Sequence, residues 1–197
     1  AEVEGEVERL RQSAGYGEPR GSQGVRRAVA ALMGGGDEWA CPDEDKICVA
    51  AGVTAVAALL FKALMEEGEA CLIPSPYFAG FDNALAAANV VPAPVPSGFP
   101  GNVDAGIGPA RLEKAYRSAR RRGLKPRALL LTSPHNPSGR LYTARALRAA
   151  VAWARSRGLH TVADETYRHC VHRPGATFQG LREVLAPPSP RAVAAAA

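Results

Sequence analysis

The run Arg127-Ala-Leu-Leu-Leu-Thr132, followed at once by Ser133-Pro-His-Asn136-Pro-Ser-Gly139, decides the fold class. Ala128 to Leu131 is continuously apolar and too short for a helix, and a dense block of turn residues stops it. A strand with no polar alternation has both faces covered, which is the signature of a parallel sheet between helices. Upstream, the helical pattern Ala110–Arg122 precedes it, behind a Pro/Gly-rich loop over Val95–Pro109. Before that loop come a weaker strand, Asn89–Ala93, a helical stretch, Phe78–Ala88, and a strand, Ala70–Pro74. Earlier still are a helix over Thr54–Met65 and a strand over Lys46–Ala50. Downstream, Thr143–Arg157 reads as a helix opened by a Thr cap, and His160–Ala163 as a strand. The alternation predicts an α/β domain, three layers built on a mostly parallel sheet. Residues 1–40 differ and read as an N-terminal segment of two helical pieces joined through Gly15–Gly21, with the α/β domain over 41–197.

Bulk properties exclude several classes. Of 197 residues, 47% are hydrophobic and 22% charged, ordinary values for a globular domain with its own core. Much of the net charge of +5 sits between Arg117 and Arg127. No aromatic residue interleaves there and no recognition motif surrounds it, so it reads as a solvated helix end and no nucleic-acid partner is expected. Cysteines at 41, 48, 71 and 170 form no CxxC pair, so neither a metal site nor a disulfide framework is expected. Cys48 and Cys71 lie in apolar runs and read as buried. A reducing, cytoplasmic compartment is the expectation, and no apolar run approaches the 18 residues of a membrane span. The chain opens on Ala1 and closes on Ala194–Ala197, which reads as a fragment.

Ligands of open α/β sheets gather beyond the carboxyl ends of the strands. Four positions lie there. Ala51-Gly-Val53-Thr54 starts a helix, whose free N–H groups suit a phosphate, although a plain tight turn has the same composition. Pro74-Ser-Pro-Tyr77 offers an aromatic face to a planar ligand, or a core aromatic at a helix start. Asn136, between two prolines, is held where its amide can donate to a ligand oxygen, while His135 reads as a loop residue. Asp164-Glu-Thr-Tyr167 puts a carboxylate at the end of an apolar strand, where it requires a partner or caps the following turn.

Taken together these positions resemble fold-type I pyridoxal-phosphate (PLP) enzymes, the class I/II aminotransferase family that includes 1-aminocyclopropane-1-carboxylate (ACC) synthases. Tyr16-x-x-x-x-Gly21-x-x-x-Val-Arg26, Ala51-Gly-Val-Thr54, Pro74-Ser-Pro-Tyr77, Ser133-Pro-His-Asn136-Pro-Ser-Gly139 and Asp164-Glu-Thr-Tyr167 occur in the family's order and spacing. The resemblance implies the PLP-binding large domain, PLP as cofactor, an amino-acid substrate and transamination through an external aldimine. It implies that Asp164 binds the pyridinium nitrogen, Asn136 and Tyr167 the phenolic oxygen, and that Tyr77 stacks on the ring. Val53 and Thr54 would present backbone N–H groups to the phosphate. Tyr16 would reach the phosphate of the neighbouring subunit of a homodimer.

Departures bear on activity. The Schiff-base lysine should follow Asp164 by a few dozen residues, yet the sequence stops 33 residues on, with no lysine beyond Lys125. No catalytic residue is therefore assigned, the large domain is read as incomplete at its C-terminus, and the chain alone is expected to be inactive. Ending there, it is also expected to expose an apolar sheet edge and to aggregate. Pro76-Tyr-Phe-Ala-Gly-Phe-Asp82 is similar to the ACC-synthase branch, whereas Pro19 and Thr166 depart from it. An ACC synthase-like lyase acting on S-adenosylmethionine stands as one alternative, and a non-catalytic pseudoenzyme or dimerisation module as another.

Overall fold

The structure is a computed structural model describing residues 7, 14–34, 43–98 and 103–186. Two compact units divide the chain at Ala51/Gly52. Cys41, the first helical piece and the Ala194–Ala197 run lie outside the described residues.

In the first unit, helix α1 spans Gln23–Gly34. Arg26 is its buried anchor, at 3% exposure. Its guanidinium meets Glu18 at 2.6 Å and Asp45 at 3.2 Å and donates to the carbonyls of Gly21 and Glu44. A buried cation needs such a saturated shell. Gly21 has φ of +98°, and a Cβ there would lie 3.0 Å from that of Val49, so both backbone angle and space require glycine. The strand expected over Lys46–Ala50 is not formed. Glu44–Lys46 makes a 3-10 turn capped by Asp43, and Val49 N–H bonds the Arg20 carbonyl rather than a sheet neighbour. Apolar residues alone do not make a strand without a ladder to join. Cys48 is consequently exposed, not buried, whereas Cys71 is buried as expected.

The second unit is an α/β sandwich. Its elements are α2 (Gly52–Leu64), β1 (Glu69–Ser75), α3 (Gly80–Ala87), β2 (Val91–Pro96), α4 (Val103–Gly106), α5 (Pro109–Arg121), β3 (Lys125–Thr132), α6 (Ala144–Ser156), β4 (His160–Asp164) and α7 (Leu181–Leu185). All strand pairs are parallel, in the order β2-β1-β3-β4. The continuous apolar run is explained by its two faces. Leu129 and Leu131 join Ala70, Leu72, Leu112 and Trp153 on the α5/α6 side. Ala128 and Leu130 join Cys71, Ile73, Phe61 and Phe81 on the α2/α3 side. Each fully buried leucine contributes about 1.5–3 kcal/mol of hydrophobic stabilisation. Thr143 caps α6 as read, accepting from Ala146 N–H at 3.2 Å.

The two outer strands differ. Pro92, Pro94 and Pro96 remove N–H donors from β2, which blunts that edge against further pairing. β4 carries no such device in His160-Thr-Val-Ala-Asp164, and its residues are half-buried or exposed. The two cavities lined by candidate ligand groups lie beside the carboxyl ends of β3 and β4.

Candidate active site

Strand order sets where a ligand fits. From β1 the chain turns to β2 on one side, then crosses to β3 on the other. Loops leaving β1 and β3 therefore diverge, and in open α/β sheets such a switch point is where a ligand is expected. Tyr77 follows β1, Asn136 follows β3, and Asp164 ends β4 beside it. A backbone bond from Ser133 N–H to the Asp164 carbonyl, 2.9 Å, joins the last two loops.

Asp164 is half-buried, and its oxygens are unequally used. Oδ1 accepts from both the backbone N–H (3.0 Å) and the hydroxyl (2.5 Å) of Thr166. Oδ2 has no hydrogen-bond partner among the described residues. Neighbouring Glu165 serves the fold instead. Its Oε1 accepts from Leu181 N–H at 2.6 Å and its Oε2 lies 3.6 Å from Arg168, tying down the start of α7. Burial raises the Glu165 pKa above its ordinary value, against the pull of the Leu181 bond and Arg168.

The loop presenting Asn136 is rigid by construction. His135 N–H donates to the Arg140 carbonyl at 2.8 Å, and Gly139 N–H to the His135 carbonyl at 2.6 Å. The buried His135 ring holds Ser138 Oγ through Nδ1 at 2.7 Å and stands edge-on to Tyr142. Burial lowers its pKa, which keeps it neutral and fits a loop-fixing part rather than proton transfer. Tyr77 donates its hydroxyl to Asp82 at 2.8 Å. Burial, then Asp82, pushes the Tyr77 phenol up to about 12. Its ring packs partly against the α2/α3 side of the core.

The candidate residues divide into groups. A cavity of about 790 Å³ brings Asn136 and Tyr167 together. A second, of about 270 Å³, brings Val53 together with Asp164 and Thr166. Gly52, at φ of +84°, turns the chain into α2, so that Val53 and Thr54 occupy its first turn. Tyr77 and Thr54 line neither cavity. Tyr16 is fully exposed in the first unit.

Sequence reasoning assigned no part to Thr166, Ser138 or Asp82. The first was detectable, since Asp-x-Thr is the pattern of a side chain closing a turn onto the backbone two residues on. Ser138 and Asp82 carry only the signal of spacing, three and five residues from their partners.

These features define an α/β protein whose candidate ligand groups gather beyond the carboxyl ends of a parallel sheet. The pattern of the family described as aminotransferase class I and II matches residues 1–193, and the chain belongs to that family. Its members and the ACC synthases related to them are PLP-dependent enzymes. The chain is 29% identical over 185 residues to 1-aminocyclopropane-1-carboxylate synthase 2 of Cucurbita pepo, covering 91% of this chain and 36% of that protein. With 1-aminocyclopropane-1-carboxylate synthase 9 of Arabidopsis thaliana it shares 37% identity over 130 residues, 64% of this chain and 26% of that one. In fold it is similar to tetra mutant 1 of the Thermus thermophilus aspartate aminotransferase, with a TM-score of 0.74 and 23% identity. That match covers 89% of this chain and 46% of the other. The chain thus spans about a third of the length of the curated relatives it matches.

The residues present fit PLP. A carboxylate oxygen without a partner among the described residues, at a strand end, suits a protonated ring nitrogen, and the Asn136/Tyr167 pair suits a phenolate oxygen. A glycine-opened helix start suits a phosphate.

Proposed function

We propose that this chain supplies the cofactor-binding elements of a PLP-dependent aminotransferase-type enzyme acting on amino acids. The observation that carries this reading is Asp164, half-buried at the end of β4, with Oδ1 held by Thr166 and Oδ2 without a hydrogen-bond partner among the described residues. When bound, PLP supplies an electron sink for charge developing at the substrate α-carbon. Asp164 keeps the ring nitrogen protonated, which maintains that capacity. Thr166 orients the carboxylate. Asn136 and Tyr167 would hold the phenolic oxygen, and the His135–Ser138 contact keeps the loop of Asn136 in place. Tyr77, anchored through Asp82, supports the ring by stacking, and the first turn of α2 takes the phosphate.

The family likeness also supports a homodimer in which Tyr16 reaches the partner's phosphate, and free cysteines at 48, 71 and 170 support a cytoplasmic setting. The relation to ACC synthases favours a second reading, a lyase acting on S-adenosylmethionine.

The test is a PLP titration of the chain by absorbance and equilibrium dialysis. Saturable binding is expected, weaker for pyridoxal, which lacks the phosphate, and weaker again in Asp164→Asn. Binding indifferent to both changes refutes the assignment.

A further inference from the structure

Another cavity, of about 470 Å³, lies between the edge strand β2 and α5 and shares no lining residue with the two beside β3 and β4. Small buried side chains, Ala93, Ala115 and Ala119, form its floor. Its rim is polar. Arg111, Lys114, Ser118 and Arg122 follow one another at spacings of three, four and four residues, which places them on one side of α5 and its C-terminal cap. At about 1.5 Å per residue this line is roughly 16 Å long. No acidic residue lines the cavity. The one carboxylate of α5, Glu113, is taken up elsewhere, by Arg117 at 2.6 Å, Arg157 at 2.8 Å and Trp153 at 3.1 Å. Arg111 is fixed in place. Its Nη1 donates to the Pro96 carbonyl at 2.9 Å, and a Cβ on Gly98 would fall 2.8 Å from the same nitrogen. Lys114 Nζ, the Arg122 guanidinium and Ser118 Oγ have no hydrogen-bond or ion-pair partner among the described residues. Ser156 on α6 turns its hydroxyl back onto the Trp153 carbonyl at 2.7 Å, the usual outcome for a helical serine, and Ser118 does not.

We propose that this groove binds a linear oligophosphate, either free or as the tail of a nucleotide. Three like charges along one rim repel one another, and a polyanion laid beside them relieves that repulsion. Phosphate oxygens accept forked N–H bonds from a guanidinium and single bonds from an ammonium, and the hydroxyl between Lys114 and Arg122 adds a further donor. A line of donors suits a chain of phosphates better than a single one. The volume is that of a small-molecule site. A peptide strand is disfavoured, because Pro92, Pro94 and Pro96 withhold the N–H donors that strand addition uses. Pro94 and Pro96 instead give the cavity apolar ring surfaces, which suit a nucleotide base. The site is independent of the cofactor reading, with which it shares no residue.

Calorimetric titration of the whole chain with tripolyphosphate, orthophosphate and adenosine triphosphate tests this in magnesium-free buffer, at low salt and again at about 0.15 M, where exposed charges are screened. Tripolyphosphate should bind at least tenfold tighter than orthophosphate, and more weakly at the higher salt. Lys114→Ala and Arg122→Ala should each weaken it at least threefold. Arg120→Ala, which removes the same charge from a part of α5 outside the cavity, should leave it unchanged. Tighter binding of adenosine triphosphate than of tripolyphosphate supports a nucleotide as the source, and equal or weaker binding supports the free chain. Equal binding of tripolyphosphate and orthophosphate, no binding of either, or a loss in Arg120→Ala as large as in Lys114→Ala overturns the proposal. A single-stranded oligonucleotide that binds tighter than both phosphate chains also overturns it, since the groove is then part of a nucleic-acid surface. A chain that binds PLP but does not select tripolyphosphate refutes this site alone. One that selects tripolyphosphate but does not bind PLP refutes the cofactor reading and leaves this site standing.

Discussion

Leu130→Ala tests whether the two-faced burial of β3 organises the fold. Leu130 is 1% exposed on the α2/α3 side of the sheet, among Phe61, Phe81 and Cys71. The substitution removes three carbons from a site that water does not reach, at about 0.8 kcal/mol each, or roughly 2.4 kcal/mol. A cavity contribution adds to this, because parallel strands held on both sides cannot collapse inward, and leucine truncations in cores cost about 2–5 kcal/mol. Leu130 also borders the 270 Å³ cavity beside Asp164, so part of its surroundings is already open and the cost belongs low in that range. About 3 kcal/mol is expected, a fall in Tm of roughly 6–12 °C for a domain of this size. Urea denaturation at low micromolar concentration, followed by far-ultraviolet circular dichroism, measures it. The paired control is Leu59→Ala, 61% exposed on α2, with an expected change within about 0.5 kcal/mol. A loss below about 1 kcal/mol at Leu130, or equal losses at both sites, refutes the close-packed core on which the placement of Asp164 depends.

Three further outcomes follow from the site and the sheet edge. His135 has a folded pKa lowered from 6.5 by burial, so the unfolded chain takes up its proton first. Its contribution to stability is complete above pH 6.5 and is lost as pH falls below that value; a His135→Asn variant should show a flatter stability profile from pH 7 to 5, and an unchanged profile contradicts the burial. Thr166→Val removes the hydroxyl bond to Asp164 Oδ1 while leaving the backbone one, so PLP affinity should fall several-fold by equilibrium dialysis, and no change would remove Thr166 from the site. Thr161→Lys places a charge on β4, the strand without prolines, and should lower light scattering of concentrated protein; equal scattering shows that aggregation starts elsewhere.

The second unit was legible because each signal had one physical cause. Ala128–Leu131 reads as a doubly covered strand since both faces are in fact filled, and Thr143 reads as a cap since its hydroxyl does accept from Ala146 N–H. Lys46–Ala50 misled for the complementary reason. Its composition is that of a strand, but strand formation is decided by a neighbour that sequence does not display, and here Val49 bonds Arg20 instead. Cys48 inherited that error, while Cys71, inside a paired strand, did not.

The site shows the same division between chemistry and context. Asp164, Asn136 and Tyr77 are identifiable because their positions after strands need explanation: a carboxylate closing an apolar run, an amide between prolines, an aromatic at a helix entry. Their supports are harder to see. Ser138 and Asp82 are ordinary loop and helix residues whose roles depend on where His135 and Tyr77 point. The charge of the large cavity is more hidden still, because Arg140 and Arg173 lie 33 residues apart and the one long basic run, Arg117–Arg127, draws attention to α5 instead. Only the fold brings the two arginines to one wall. The candidate cofactor contacts lie in short motifs at strand ends, so sequence alone can single them out. The rest of that cavity's lining comes from segments distant in sequence, so its composition is read only from the assembled fold, where the turn after β3 and the loop after β4 meet.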